Sequence, residues 1–246
     1  MVKERIDLLL VQRGLVDSRT RAQARIMAGE VIVNEHRVDK AGTRVPIDAQ
    51  IRLKGDELPY VGRGGLKLAG ALERWPMNLT GCIALDVGAS TGGFTDVLLQ
   101  SGAAKVYAVD VGHNQLAWKL RQDPRVINLE KTHIARLETG SLQPPPSLGV
   151  VDVSFISLRR VLPAMRPHLR GPGRLYALVK PQFEVGRDQV GKGGIVRDPA
   201  QRQQALQAIQ NVGKELDMAE IGWMESPITG TDGNVEYLIC WSFEAD

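Results

Sequence analysis

Residues 85–96 read LDVGASTGGFTD, and three kinds of protein use a phrase of that shape. An apolar run closes on an acid, a glycine-rich turn follows, and helical spacing resumes. The segment Gly88-Ala-Ser-Thr-Gly92 fits the strand-turn-helix elbow that exposes a serine nucleophile, here Ser90. Such a serine needs an acid and then a histidine downstream. The last histidine is His168, and the 78 residues after it contain none. Asp152 and His168 could serve only in a rearranged fold. A phosphate cradle is the second reading, and Gly186-Arg-Asp-Gln-Val-Gly191-Lys192 matches most of one. Gly193 stands where a hydroxyl would hold magnesium, so that segment reads as a flexible basic lid loop.

The third reading takes the whole phrase. Asp86 closes a strand, Gly88, Gly92 and Gly93 let the backbone turn tightly against a ligand, and Asp110 closes the next strand 24 residues after Asp86. An acid there is placed to accept hydrogen bonds from ribose hydroxyls. The G-x-G-x-x-G of dinucleotide enzymes is absent. S-adenosylmethionine, with a ribose and an amino acid moiety but no pyrophosphate, fits the turn better.

Outward from this turn, apolar runs alternate with helical patterns. Ile83–Val87, Lys105–Asp110, Val126–Leu129, Gly149–Val153 and Leu175–Lys180 read as buried parallel strands. Met218–Met224 and Val235–Trp241 add two more after a helix over Gln201–Leu216. The expected fold is α/β, a seven-stranded, Rossmann-like class I methyltransferase sheet.

The first 58 residues have another character. Ile6, Leu9 and Leu10 share one helical face, Ser18 caps a second run carrying Ala22, Ile26 and Met27, and Gly29 ends it. Val31–Val38 and Ile51–Lys54 read as strands. Arg19, Arg21 and Arg25 lie on the second helix with no acid between Ser18 and Gly29, a positive face suited to RNA phosphates. We expect a small α+β domain over 1–58, a linker over 59–63 and the large domain over 64–246.

With 43% hydrophobic and 24% charged residues, the composition is that of an ordinary globular chain. Two cysteines, Cys82 and Cys240, offer no metal spacing and suggest a reducing compartment. The charged N-terminus does not resemble an export signal, and no window is apolar enough to span a bilayer. The expectation is a cytoplasmic protein without a membrane partner or metal. A net charge of +3 says little, but residues 159–192 hold eight basic residues against two acids. A stripe of that kind suits a phosphate backbone. Arg159, Arg160 and Lys192 within it, with Lys3, Arg5 and Arg63, complete the candidate RNA contacts.

Four polar residues stand where elements end beside a crevice: Lys67, Asp152, Lys180 and Glu236. Methyl transfer to a ribose 2′-hydroxyl is an in-line displacement in which the hydroxyl sheds its proton as it attacks. A neutral lysine can take that proton. Lys180 is the expected base, with Lys67 binding or activating the nucleophile. A second cation nearby favours the neutral amine, while Asp152 and Glu236 oppose it and fix its orientation.

VGRGGLKLAGAL, LDVGASTGGFTDVLLQSGAAKVYAVDVGHNQL, DVSFISL, LVKPQFE and VGKGGIVRD together resemble the TlyA family, and the first 38 residues resemble its S4 RNA-binding domain. The resemblance implies an FtsJ-type fold, S-adenosylmethionine as cofactor and ribose 2′-O-methylation of cytidine in ribosomal RNA, with ribosomal subunits as partners. It also implies a Lys-Asp-Lys-Glu tetrad at Lys67, Asp152, Lys180 and Glu236. Cofactor contacts are implied at Asp86, at Gly88, Ala89, Ser90, Thr91, Gly92, Gly93 and Phe94, and at Asp110, Glu130 and Asp152. Gly62 departs from the usual serine and is expected to loosen the linker; His133 departs from a frequent asparagine near the adenine side. The haemolysin label attached to the family raises a rival, a membrane-damaging toxin. An RNA binder with a vestigial transferase fold is another.

Overall fold

The computed structural model describes residues 3–34, 36–53, 58–186, 189–230 and 232–244, arranged as two compact units, Met1–Glu57 and Leu58–Asp246. Lys54, Arg187 and Asp188, which figure in the strand and lid readings, lie outside the described residues.

The first unit contains β1 (Lys3–Arg5), α1 (Ile6–Gln12), α2 (Arg19–Met27), β2 (Val31–Val33), β3 (His36–Val38), β4 (Arg44–Pro46) and β5 (Ile51–Leu53). β2 pairs antiparallel with β3 and β5, and β1 with β4, a short two-stranded sheet the hydrophobic pattern does not announce. Ile6, Leu10, Ala22, Ile26 and Val31 are fully buried in its core. Ser18 caps α2 as expected, its hydroxyl accepting from Arg21 N at 3.3 Å.

The arginine face of α2 is more occupied than the sequence suggests. Asp7, fully buried on α1, accepts from Arg5 Nε at 3.0 Å and Arg19 Nε at 2.9 Å. Those hydrogen bonds, led by Arg5, overcome desolvation and hold its carboxyl well below the usual range. Arg21 pairs with Asp17 and Arg25 with Glu30. Arg25 is only 13% exposed along its side chain, so it is a poor surface cation. The acids come from outside the helix, where a helix-by-helix charge reading cannot see them.

In the second unit β6 (Ile83–Val87), β7 (Lys105–Val109), β8 (Val126–Leu129), β9 (Leu148–Val151), β10 (Gly173–Val179), β11 (Ala219–Glu225) and β12 (Tyr237–Phe243) form one sheet in the order β11-β12-β10-β9-β6-β7-β8. Among these, only β12 runs antiparallel to its neighbours. α3 (Gly64–Arg74), α4 (Gly93–Gln100), α5 (Trp118–Arg121), α6 (Leu158–Met165), α7 (Pro181–Glu184) and α8 (Pro199–Glu215) complete the unit. Two apolar clusters form its core; Leu85, Leu162 and Trp241 anchor one, Leu98, Leu148 and Tyr176 the other. Each such side chain, fully buried, contributes roughly 1.5–3 kcal/mol.

The seven expected strands are present, with shifted ends. β7, β9 and β10 stop at Val109, Val151 and Val179, one residue before Asp110, Asp152 and Lys180. These charged residues therefore stand just past the carboxyl ends of the strands. Between β6 and β9 the strand order reverses, and that switch point opens the crevice in which sheets of this kind hold ligands. Residues 59–63, read as a linker, lie in the second unit, where Val61 N donates to Asp96 at 2.8 Å.

Candidate active site

The turn after β6 is held by its neighbours. Gly88 N donates to Val109 O at 2.8 Å, and a Cβ on Gly88 would sit 2.2 Å from the Asp152 carbonyl oxygen. With φ at +86° as well, only glycine fits. Gly92, at φ +95°, caps α4 and likewise has no room for a side chain against Leu116 and Leu120. Ser90, itself left-handed at φ +49°, donates its N–H to Asp110 Oδ2 at 2.8 Å, and Gly112 N donates to Oδ1 at 2.7 Å. Two backbone donors thus aim the Asp110 carboxylate, and its remaining lone pairs stay available to a ligand.

Two cavities meet at this turn. One, about 350 Å³, is lined by Asp110 with apolar Val109, Val111, Ile134 and Ile156, as an adenosine group requires. The other, about 240 Å³, is polar, with Arg63, Ser90, Thr91, Lys67, Asp152 and Lys180 on its walls, and suits a charged amino acid moiety. Gly88, Ser90 and Asp152 border both. Ala89, Gly93 and Phe94 border the polar cavity, whereas Gly92 borders neither and acts as the cap of α4. The residues fit S-adenosylmethionine.

The tetrad assembles as two ion pairs. Lys67 Nζ lies 2.6 Å from Glu236 Oε2, with side chains 9% and 2% exposed. Lys180 Nζ lies 2.6 Å from Asp152 Oδ1 and donates a hydrogen bond to Ser154 Oγ at 2.9 Å. Each lysine has its own acid, so Lys67 adds little uncompensated positive field at Lys180. Both lysines also border a third cavity of about 350 Å³ with Phe155, Gln182, Phe183 and Glu236.

Phe155 is the residue the sequence reading missed. It is 93% exposed and left-handed at φ +63°, a strained state for a bulky residue, and its ring lies 5.2 Å from that of Phe183. Its only trace in the sequence is an aromatic between Ser154 and Ile156, where apolar runs normally point inward.

Two of the implied cofactor contacts, Glu130 and Asp86, lie off these cavities. Glu130 accepts from Asn114, Gln115 and Leu116 N–H groups at 2.8, 2.9 and 3.1 Å and pairs with Arg121. Desolvation works against its charge, but those donors outweigh it and bring the carboxyl down to about 2. Its Oε1 accepts from Gln115, Leu116 and Arg121 and its Oε2 from Asn114, and it lines none of the three cavities. Asp86 is fully buried beneath the turn and also lines none of them; Thr95 Oγ1 donates to it at 2.6 Å. Burial pushes its carboxyl up to about 7, with Asp152 and Asp110 adding to the rise.

The departures have local explanations. His133 Nδ1 accepts from Ala135 N at 3.2 Å, a capping bond that an asparagine oxygen would also make. A Cβ on Gly62 would approach Thr91 Oγ1 to 3.0 Å, so Gly62 packs against the turn; it is not a loose hinge. Of the basic stripe, Arg174 bonds the Trp75 and Pro76 carbonyls, Arg170 those of Pro167 and Leu169, and Arg166 stacks on Phe243. Arg159, Arg160, Lys192, Arg63 and Lys3 are exposed. His168 is buried and borders no cavity with Ser90, which removes the hydrolase triad.

Sheet order and crevice define a class I, Rossmann-like methyltransferase. The model of FtsJ-like methyltransferases matches residues 60–243, and that of the S4 domain matches 4–51. The chain belongs to the FtsJ-like methyltransferase family, in its TlyA branch, and its cofactor is S-adenosylmethionine. A Bacillus subtilis protein carried under the provisional name of an rRNA methyltransferase is 49% identical, over 96% of this chain and 85% of its own. A Mycobacterium tuberculosis protein named 16S/23S rRNA (cytidine-2′-O)-methyltransferase TlyA is 44% identical, over 99% and 91%. A Streptococcus thermophilus structure described as a candidate hemolysin superposes with a TM-score of 0.76 at 44% identity, covering 99% of this chain and 90% of that one. Among the described residues no helix is long and apolar enough to cross a membrane.

Proposed function

We propose that the protein methylates the ribose 2′-hydroxyl of cytidine in ribosomal RNA, working on ribosomal subunits in the cytoplasm. The observation that carries this reading is the meeting of two lysine–carboxylate pairs at the wall shared by the donor cavities and a third, open cavity. The substrate itself is taken from the name of the Mycobacterium tuberculosis relative.

S-adenosylmethionine supplies an electrophilic methyl carbon on its sulfonium. Asp110 would hold the ribose hydroxyls of that donor, and Arg63 lines the cavity that would take its carboxylate. Lys180, as the neutral amine, takes the proton of the attacking 2′-hydroxyl and becomes an ammonium paired with Asp152, with Ser154 holding it in place. Lys67, neutralised and oriented by Glu236, donates a hydrogen bond to the nucleophile. Phe155, with Phe183 behind it, offers a face on which an unstacked target base can lie. Residues 1–58 act as the RNA-binding domain, 59–63 join it to the catalytic domain over 64–246, and Lys3, Arg5, Arg19, Arg21, Arg159, Arg160 and Lys192 contact phosphates.

Mapping ribose methylation in ribosomal RNA from cells with and without the protein tests the reading. A cytidine methylated only when the protein is present supports it. Labelled donor bound but no methyl transferred to any RNA indicates a binding protein with a vestigial site, and lysis of plain liposomes by pure protein indicates a toxin.

A further inference from the structure

Glu184 lies outside every role described so far, yet it joins the two segments that carry the reactive groups. It ends α7, the single turn that begins immediately after Lys180 and contains Phe183. Its carboxylate leaves that turn and accepts from Ser157 Oγ at 2.5 Å and from Leu158 N at 2.8 Å. Those donors are the N-cap and first residue of α6, and the segment leading into them carries Asp152, Ser154 and Phe155. A helix start has unpaired N–H groups and attracts negative charge. Ser157 Oγ already serves Arg159 N at 3.1 Å, which leaves Leu158 N to a group from elsewhere in the chain.

The cross-tie spans two loops that otherwise meet through the Lys180–Asp152 pair, the Lys180–Ser154 hydrogen bond and the Phe155–Phe183 contact. Those contacts involve groups the reaction needs free to move or exchange protons. Phe155 is also held left-handed, a state that persists only where its surroundings impose it. The cap supplies a fixed point three residues away that takes no part in the chemistry.

We propose that Glu184 is a positioning residue for methyl transfer: by capping α6 from the α7 turn, it keeps Asp152 and Phe155 in register with Lys180 and Phe183. This rests on the RNA methyltransferase reading above. Glu184 borders none of the three cavities. Its loss is therefore expected to slow turnover more than it weakens donor binding, which it reaches only through the 152–156 segment.

The test uses the full chain, labelled S-adenosylmethionine and ribosomal subunits from cells lacking this methyltransferase. The proteins compared are wild type, Glu184→Ala, Glu184→Gln and Ser157→Ala. Glutamine keeps both ties, its carbonyl accepting from Leu158 N and its amide donating to Ser157 Oγ, and removes only the charge. Glu184→Ala is expected to lower kcat about tenfold or more, with donor Kd within about twofold of wild type. Glu184→Gln is expected to recover most of that loss, and Ser157→Ala to fall between. Turnover by Glu184→Ala at the wild-type rate per folded molecule, or a Gln variant as slow as Ala, overturns the proposal. If Ala does not fold, an unimpaired Ser157→Ala overturns it instead. Absence of transfer by the wild type overturns the RNA methyltransferase reading, whereas active wild type with indifferent variants overturns the role of Glu184 alone.

Discussion

Lys67 on the first turn of α3 and Glu236 just before β12 are 169 positions apart in sequence and 2.6 Å apart in space, both nearly closed to solvent. Breaking such a pair from one side leaves a buried charge without a partner, at a cost of about 3–5 kcal/mol. Removing both charges with side chains of similar bulk costs little. Glu236→Ala is therefore expected to unfold at markedly lower urea concentration than wild type. Lys67→Met with Glu236→Leu should regain most of that stability and still transfer no methyl groups. A stable double variant with wild-type activity would show the pair to be structural only.

Lys180→Ala should bind S-adenosylmethionine within about twofold of wild type and lose methyl transfer by about a thousandfold, the range set by a positioned base. Calorimetry and labelled-methyl transfer give the two numbers. Unchanged turnover would remove Lys180 as the base.

Asp110 and Asp86 should separate cleanly. Asp110→Ala loses charge-assisted bonds to the donor ribose and is expected to weaken its affinity roughly tenfold to a hundredfold, at about 1.5–3 kcal/mol. Asp86→Asn should leave affinity nearly unchanged, because Asp86 borders no cavity. Equal losses in the two variants would return Asp86 to the cofactor site.

The same Asp86 gives a pH signature. Its folded carboxyl is raised to about 7. A raised acid contributes stability below its unfolded value, near 4, and loses it as pH climbs toward 7. Asp86→Asn keeps the bond from Thr95 and cannot ionise. Its stability relative to wild type should therefore grow between pH 4 and 7, by on the order of 4 kcal/mol, and level off above. Urea titrations across that interval measure it; a flat difference would show that Asp86 is not a buried titrating acid.

Phe155→Gly removes a left-handed aromatic, relieving about 1 kcal/mol or more of strain, and gives up a ring contact worth about 0.5–1.5 kcal/mol. Stability should thus stay within about 1 kcal/mol of wild type. The KM for RNA should rise while donor affinity holds. An unaltered RNA KM would dismiss Phe155 as a platform for the base.

The apolar runs that close on Asp110, Asp152 and Lys180 already mark the catalytic edge of the sheet in the sequence, because a buried strand can end on a charge only where it leaves the core. Which lysine pairs with which acid is not legible, since it depends on α3 and β12 converging across most of the chain. The backbone donors of residues 114–116 that Glu130 serves are equally hidden, since they lie some fifteen positions away in sequence. In the arginine stripe, spacing reveals the cations but not the carbonyls to which Arg170 and Arg174 fold back. Phe155 was illegible because its exposure depends on a single backbone angle.

β12 is threaded between β10 and β11, against the direction of the rest of the sheet, and it brings Glu236 with it. The residues that line the donor cavities all precede residue 230, yet the nucleophile's half of the centre waits for the last strand to be inserted. A prematurely terminated polypeptide lacking that strand would capture the donor at best and never spend it.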